Sequence, residues 1–343
     1  MELDLSRPLG EIELPSGVVF TPPPGTILMN DPTAKVRLSH STNALMHSCE
    51  RKFQKTKLLL SRHPRDETPA TAFGKGFGAA VQHYMVLRTM GENAQVAIDS
   101  AIYEGVLNWG TPSVYDDRRF IERLIYVIQL SQSFSERMLM EWEIAEFNGR
   151  FATELSFRIN ITDRYYFVGY IDLVLRNVKN GRYAPTDYKT TSITGEDLTP
   201  HFKFSDQVLG YSIVLDAIVG KHLTDFDVNY WVAQLANHGK AAMWNASFKD
   251  YSFPKTLRDR FEWFLKLYLD VNYIESLKDL EVYPRRNACR AYNRTCQFFG
   301  ECQFTETDQF APYIPDDTVY DFEFELNDLF MDHQERLNII TRA

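Results

Sequence analysis

The sequence predicts an α/β (α+β) fold with a central mixed sheet flanked by helices. Three observations predict it: strand-like alternation of apolar and polar residues between 151 and 191, helix-like apolar spacing on both sides of that segment, and a globular composition. Of the 343 residues, 44% are hydrophobic and 24% are charged, as expected of a folded domain. A helical N-terminal portion and a C-terminal cysteine cluster region complete the predicted architecture.

The overall charge and the lack of long apolar runs narrow the function classes. The net charge of −9 argues against a protein that simply coats nucleic acid, but it does not argue against an enzyme acting on nucleic acid. No apolar run approaches the ~20 residues that a membrane-spanning helix needs. The acidic N-terminus has no apolar core and does not resemble a secretory signal. We therefore expect a cytoplasmic protein without a membrane partner.

The chain is expected to contain an extended arm, one domain and a tail. Residues 1–36 are rich in proline and glycine and predict an extended N-terminal arm. Residues 37–304 are predicted to form a single domain with its core at 150–240. Residues 305–343 are predicted to be an acidic C-terminal tail, which is either a solvated amphipathic segment or a docking segment for a basic groove or a protein partner.

Helix-like patterns lie on both sides of the predicted strand segment. Serine caps at 39 or 41 precede apolar spacing, and a second helix is entered through the glycines of GKGFGAAVQHYMVLRTM. Further helix-period patterns cover residues 117–147, 205–219 and 254–277.

Strands are predicted from alternation and turn residues. Three antiparallel strands are expected within 151–191, joined by a turn at Thr162–Arg164 and by the tight-turn pair Asn180-Gly181. A later hairpin joins residues 225–236 to residues 240–248.

Three charged residues are predicted to meet on neighbouring strands. Asp172 lies in the middle of one predicted strand, and Asp187 and Lys189 lie at the end of the next, where alternation sends both to the same face. Carboxylates suit Mg²⁺ or Mn²⁺, and a lysine beside the ion can orient a nucleophile or stabilise developing charge on a phosphodiester. The alternative is an ordinary cross-strand ion pair. An isolated carboxylate among Val168, Ile171 and Leu173 would be costly, which favours a functional role.

These residues occur in a longer ordered pattern. Glu154, then GYIDLV, then TDYKTT, and finally Gln207 and Tyr211 in a Gln-x-x-x-Tyr spacing follow one another along the chain. In this order they resemble the PD-(D/E)XK nuclease superfamily and its RecB-like branch, and a phage-encoded origin is compatible with the chain's size. The resemblance implies a restriction-endonuclease-like fold.

The resemblance also implies roles for single residues. Asp172 and Asp187 would be metal ligands together with the main-chain carbonyl of Tyr188, and Lys189 would be the catalytic lysine. Glu154 fits the family's acidic position on the preceding strand, in a catalytic or a structural role.

Gln207 and Tyr211 would lie on one helix face near DNA. Tyr211 and Phe53 are the aromatic residues expected near nucleic acid.

One further metal ligand is left open between two neighbours. RecB-like nucleases usually carry a metal-binding histidine four residues after a glycine on an N-terminal helix. Counted from Gly78, that position is Gln82, and the next residue is His83. Either Ala79 replaces the glycine and His83 binds the metal, or Gln82 supplies an oxygen ligand.

The four cysteines lie at the two ends of the predicted domain: Cys49, Cys289, Cys296 and Cys302. The residues alone allow reduced thiols, a zinc site or an iron–sulfur cluster. One cysteine before the core and three after it resemble the iron–sulfur nucleases of the RecB-like branch, which include the AddB nuclease domain and CRISPR-associated exonucleases. The resemblance implies a [4Fe–4S] cluster that closes the domain, with zinc as the alternative. Basic stretches accompany both ends, at 51–57 and 285–294.

The leading hypothesis is a metal-dependent DNA exonuclease that acts at ends of single-stranded or resected DNA, in recombination, repair or defence. The alternative is a non-catalytic nucleic-acid-binding or assembly subunit of a nuclease complex. A zinc-stabilised protein without phosphodiester chemistry is a third hypothesis.

Overall fold

The structure is a computed structural model. It describes residues 12–13, 19–20, 35–58, 68–110, 112, 116, 118–193, 197–220, 225–235, 246–278, 283–291, 294–300, 302 and 318–342. The chain divides into two compact units. Unit one comprises residues 1–64, 158–168 and 266–325, and unit two comprises residues 65–157, 169–265 and 326–343.

The described helices are α1 (His40–Ser48), α2 (Glu50–Phe53), α3 (Pro69–Thr89), α4 (Ala94–Leu107), α5 (Ile121–Leu139), α6 (Thr199–Phe202), α7 (Asp206–Val219), α8 (Leu257–Ser276) and α9 (Leu326–Arg342), with a π-helical turn at Gln54–Leu58. The described strands are β1 (Ile12–Glu13), β2 (Val19–Phe20), β3 (Val36–Leu38), β4 (Trp142–Ile144), β5 (Glu146–Phe147), β6 (Arg150–Phe151), β7 (Thr153–Asn160), β8 (Tyr165–Asn177), β9 (Tyr183–Thr191), β10 (Asp225–Leu235), β11 (Ala246–Thr256), β12 (Arg290–Ala291), β13 (Arg294–Thr295) and β14 (Phe322–Glu325). None of these helices is both long enough and apolar enough to cross a membrane.

A mixed sheet forms the centre of unit two. Its strands follow the order β11-β10-β9-β8-β7, and β4 also pairs with β8. The β8–β9 and β10–β11 pairs are antiparallel, whereas β9 and β10 are parallel. The predicted turn at Asn180-Gly181 is confirmed, since Gly181 has a φ of 69° and its N–H donates to the carbonyl of Asn177 at 2.8 Å. The predicted mixed sheet flanked by helices is confirmed.

Helices cover both faces of this sheet because both sets of alternating side chains on β10 are apolar. Trp231, Ala233 and Leu235 belong to a core that includes buried residues of α3, α4 and α5. The intervening Val228, Tyr230 and Val232 are also buried, and α7 contacts β9 and β10. Strands that are apolar on both faces are typical of a sheet enclosed between helix layers.

The crossing of α3 and α4 depends on a glycine pair. A Cβ atom at Gly76 would lie 2.8 Å from the carbonyl oxygen of Gly105 and 2.7 Å from Leu124 Cδ2. At Gly78, two residues further along the same helix, none of the described atoms outside the adjacent helix backbone would lie within 4 Å of a Cβ. Helix packing therefore excludes a side chain at Gly76 but not at Gly78.

We expect Gly76→Ala and Gly78→Ala to change stability in opposite directions. Overpacking at Gly76 should lower the free energy of unfolding by about 2 kcal/mol. At Gly78 the better helix propensity of alanine should raise it by about 1 kcal/mol. Urea denaturation of the two variants measures both changes, and equal effects would contradict this account of the helix crossing.

Unit one has its own short strands and helices. The strand β3 pairs in parallel with the start of β8, from Val36↔Tyr165 to Leu38↔Phe167. Helix α1 begins after Ser39, whose hydroxyl accepts the N–H of Thr42 at 3.2 Å, which confirms the predicted serine cap. Glu50 is 2% exposed and is bound by the guanidinium of Arg286 and the hydroxyl of Tyr273.

Several predicted elements differ from the structure. The helix predicted for 117–147 ends at Leu139. The strand β4 follows it and pairs with β8, where Glu143 lies opposite Arg176 and forms an ion pair with it. Helix α4 was not predicted, because its buried face consists largely of small residues such as Ala97, Ala101 and Gly105 and gives a weak apolar period. The second strand of the later hairpin is Ala246–Thr256, further along than predicted, and its turn lies outside the described residues.

The C-terminal segment contributes structure to both units. Phe322–Glu325 forms β14 in unit one, and Leu326–Arg342 forms α9 in unit two. Phe330 of α9 stacks on Phe261 of α8, with ring centroids 5.2 Å apart. The predicted N-terminal arm lies mostly outside the described residues, and the division into arm, domain and tail stays a prediction.

Candidate functional site

The candidate centre lies where β8 and β9 run side by side in unit two. These strands pair antiparallel with Leu173 opposite Thr186 and Val174 opposite Pro185. The same register, continued by one residue, sets Asp172 beside Asp187, and directly opposite residues point to the same face of a sheet. The Oδ2 atom of Asp172 accepts the N–H of Tyr188 at 3.2 Å, which ties its carboxylate to the neighbouring strand.

The lysine of the predicted triad is at the same place. The Nζ atom of Lys189 lies 2.6 Å from Oδ2 of Asp187. The Asp187 side chain is 1% exposed, whereas the Lys189 side chain is 38% exposed. The ion pair therefore joins a carboxylate in the interior to an ammonium that solvent reaches.

Burial and neighbouring negative charge perturb the pKa of Asp172. Burial, followed by the charge of Asp187, raises the pKa of Asp172 from its ordinary value of 3.8 to about 7. The ammonium of Lys189 and the Tyr188 N–H act in the opposite direction, and the charge of Glu154 adds to the increase. A site that holds a carboxylate against this cost is a candidate for a functional centre.

Glu154 faces this centre from β7. Burial raises its pKa, a hydrogen bond from Gln82 lowers it, and the charge of Asp187 raises it further. The residue as a whole is nevertheless exposed. Glu154 lies on the wall of a groove, where neighbouring atoms surround it but leave one side open.

That groove reaches the centre from the side of α3. On its walls are Gly78 and His83 of α3, Glu154, Asp172 and Tyr188. Because Asp172 lines this groove, a ligand within it would reach the charged cluster.

Gln82 and His83 have different environments although they are neighbours. The Nε2 atom of Gln82 donates to the main-chain carbonyl of Asp172 and the side chain also bonds Glu154. The Nε2 atom of His83 instead lies 2.8 Å from Oγ of Ser100 on α4. Gln82 therefore bonds the carboxylate cluster, whereas His83 lines the same groove but bonds the neighbouring helix.

Gln207 and Tyr211 form the predicted pair on α7. Nε2 of Gln207 donates to the Tyr211 hydroxyl at 3.0 Å, as the four-residue spacing predicts. Tyr211 is buried, and its ring meets Phe157 edge to face at 5.9 Å. Burial raises the pKa of Tyr211, and the charges of Asp187, Asp172 and Glu154 contribute. Phe53 is fully buried in unit one, so its ring is not available to stack on a base. That it lies near nucleic acid stays a prediction.

The four cysteines meet at a second place, in unit one. All four are free, and all four line one small cavity. Five basic residues line the same cavity: Arg51, Lys52, Lys55, Arg285 and Arg286. The two basic stretches noted in the sequence thus meet here, and no acidic residue is among the described residues of the lining.

The grouping of ligating side chains limits which metal ions the carboxylate centre and the cysteine cavity can bind. Within the described part of the chain, no set of three or more His, Cys, Asp or Glu side chains is arranged to hold a metal ion.

The Glu50–Arg286 ion pair beside Cys49, at 2.6 Å, was not predicted, since 236 positions separate its members and no local pattern connects them.

A comparison with known families gives the wider context. The sequence profile of the PD-(D/E)XK nuclease superfamily matches residues 37–303. The chain belongs to the PD-(D/E)XK nuclease superfamily. The match spans both the β8–β9 carboxylates and the four cysteines, so each lies inside the superfamily region.

Similarity to individual proteins is weaker. No curated protein sequence matches this nuclease. A solved structure titled "Crystal structure of SSO0001" is 14% identical, covering 58% of this chain and 74% of that chain with a TM-score of 0.24.

Asp172→Asn should stabilise the metal-free protein at alkaline pH. The folded pKa of Asp172, about 7, exceeds its ordinary value of 3.8, so the folded chain binds a proton that the unfolded chain has released. Stability therefore falls as pH rises from about 4 to 7, and the loss persists above pH 7. A neutral asparagine avoids this loss, which we expect to be about 4 kcal/mol at pH 8.

Thermal melting in the presence of a chelator tests this expectation. The advantage of Asp172→Asn should shrink as the pH is lowered from 8 to 4. A constant difference across that range, or a less stable variant at pH 8, would contradict the raised pKa of Asp172.

Proposed function

We propose that this protein is a metal-dependent DNA exonuclease that hydrolyses phosphodiester bonds with Asp172, Asp187 and Lys189. The observation that carries the proposal is the juxtaposition of two carboxylates and a lysine, with Asp172 on the wall of the groove, in a member of a nuclease superfamily. A surface ion pair would not account for it, because Asp187 is buried and Asp172 is held beside it at a cost.

The donor set fits a hard divalent cation. Mg²⁺ is usually bound by one or two carboxylates, with water and substrate phosphates completing its coordination, so three acidic side chains are not required. Asp172 and Asp187 would hold Mg²⁺ or Mn²⁺ together with the main-chain carbonyl of Tyr188. A cation bound there would lower the pKa of a water molecule and act as a Lewis acid toward the phosphate.

The chain's own residues would complete the chemistry. The exposed part of Lys189 places a positive charge beside Asp187, where it can orient the attacking water or stabilise charge that develops on the phosphate. Glu154 adds a third carboxylate at the groove and would assist in positioning. Gln207 and Tyr211 would stabilise the wall of the site and lie near the DNA.

The preference for DNA ends rests on the resemblance to the RecB-like branch over residues 154–211. The proposed substrate is the end of single-stranded or resected DNA, in cytoplasmic recombination, repair or defence. A degradation assay tests the proposal, with single- and double-stranded substrates labelled at each end, in Mg²⁺, in Mn²⁺ and in chelator. Cation-dependent release of nucleotides from ends is expected. Cleavage confined to internal positions would contradict the exonuclease, and no cleavage on any substrate would contradict the nuclease.

We further propose that the cysteine cavity holds a [4Fe–4S] cluster ligated by Cys49, Cys289, Cys296 and Cys302. Four thiolates around a cluster are anionic, and the five basic residues of the cavity would stabilise that charge. The cluster would connect Cys49 with the three cysteines near residue 300, so its role would be to stabilise the fold. Zinc held by the same thiolates is the alternative.

Cys296→Ser should lower the melting temperature of the protein and remove its visible absorbance. Removal of one of four ligands leaves an incomplete cluster, and the stabilisation from closing the long loop is lost. Anaerobic purification followed by iron, sulfide and zinc analysis measures the content. Colourless protein with stoichiometric zinc would identify the zinc site, and metal-free protein with unchanged melting would contradict both.

A further inference from the structure

In its two hydrogen bonds to the carboxylate cluster, Gln82 is the donor. Its Nε2 atom donates to the Asp172 carbonyl, and its side chain donates a hydrogen bond to Glu154. The Gln82 side-chain amide carries two N–H donors on one nitrogen, and these two bonds use both of them. In this arrangement the amide nitrogen, which cannot bind a cation, faces the acidic groups.

Glu154 is held in an uncommon backbone conformation. Its φ is 48°, which lies in the left-handed region that residues other than glycine seldom adopt. Such a conformation persists where surrounding contacts determine it, and it is often found at functional sites. The hydrogen bond from Gln82 is one contact that fixes the Glu154 carboxylate in place.

The charges of the cluster favour a single divalent ion. Asp172, Asp187 and Glu154 act on one another, and Lys189 acts on Asp172. When all four groups are ionised, three carboxylates and one ammonium leave a net charge of −2, which one divalent cation neutralises. The other side chains on the groove wall that could bind a second cation already have protein partners, since His83 is bonded to Ser100 and Glu104 to Asn108.

We infer that Gln82 is a positioning residue whose amide N–H groups hold Glu154 and the Asp172 main chain, so that the free protein binds one divalent cation without a histidine ligand. This inference rests on the proposed metal-dependent function. It assigns the open ligand position to neither Gln82 nor His83. Glu154 and Asp172 are instead kept in place by a neutral donor, as partners beyond the metal ligands commonly do in metal sites.

Mn²⁺ titration of the full-length protein without DNA tests the inference by electron paramagnetic resonance. We expect one bound Mn²⁺ per chain, and spin-echo modulation spectra without a directly coordinated nitrogen. Two bound ions, or a coordinated nitrogen that disappears in His83→Ala, would overturn the inference. Absence of any bound Mn²⁺ would instead contradict the metal-dependent function on which it rests.

Two neighbouring variants separate positioning from a general structural role. Gln82→Met keeps the length of the side chain but removes both donors, and it should weaken Mn²⁺ binding by about 10- to 100-fold. His83→Ala should leave Mn²⁺ affinity within about twofold. Melting in chelator reports the fold, and Gln82→Asn, which keeps the donors on a shorter side chain, should recover part of the affinity. Unchanged Mn²⁺ affinity in Gln82→Met would overturn the inference.

Discussion

Asp187→Asn and Lys189→Ala should each reduce DNA degradation by about 1000-fold while the protein remains folded. In the proposed mechanism both residues act where a phosphodiester meets the cation, so their loss removes stabilisation that matters most in the transition state. The expected effects are not additive, because the two side chains contact one another at 2.6 Å. Single-turnover assays on end-labelled DNA, with saturating Mg²⁺, measure the change.

Matched substitutions at exposed positions control for charge. Asp163→Asn and Lys179→Ala alter the same residue types on exposed turns of β7–β8 and β8–β9, and both should degrade DNA at the parental rate. If Asp187→Asn and Lys189→Ala are equally active, the assigned centre is wrong. If the parent itself binds DNA but never degrades it, the assembly-subunit hypothesis replaces the nuclease.

The parts of the fold that depend on local patterns were predictable. Alternation and the Asn180-Gly181 turn give β8 and β9, and apolar spacing gives α7, because these signals lie within a few residues of one another. The juxtaposition of Asp172 and Asp187 then follows from pairing across that turn. A resemblance to known nucleases extended this to Gln207 and Tyr211, which the structure places on one helix and bonds together.

Other features depend on contacts that no local pattern records. Adjacent helix positions differ by about 100° in direction, so sequence alone could not decide whether Gln82 or His83 meets the carboxylates. Packing against β8 and α4 decides it. The strand β4 likewise follows from pairing with β8, which overrides the helical pattern of its own sequence.

A buried ion network in unit two is the clearest feature that sequence analysis did not predict. Asp216 of α7 is 1% exposed, and its Oδ2 atom lies 3.0 Å from Nη1 of Arg260 and 2.7 Å from Nη2 of Arg336. The network joins α7, α8 and α9. Arg260 is fully buried, so loss of the carboxylate would leave guanidinium charge in the interior without its counter-ion, which is the costly situation for a buried pair.

Asp216→Ala should therefore lower the free energy of unfolding by about 3 to 5 kcal/mol. The matched control is Glu143→Ala, which removes the carboxylate of a surface pair 3.1 Å from Arg176 and should cost at most about 1 kcal/mol. Urea denaturation followed by circular dichroism measures both. Combining Asp216→Leu with Arg260→Met should recover much of the loss, because neither charge then remains buried at that contact. Equal losses in Asp216→Ala and Glu143→Ala would show that this network does not stabilise the packing of the three helices.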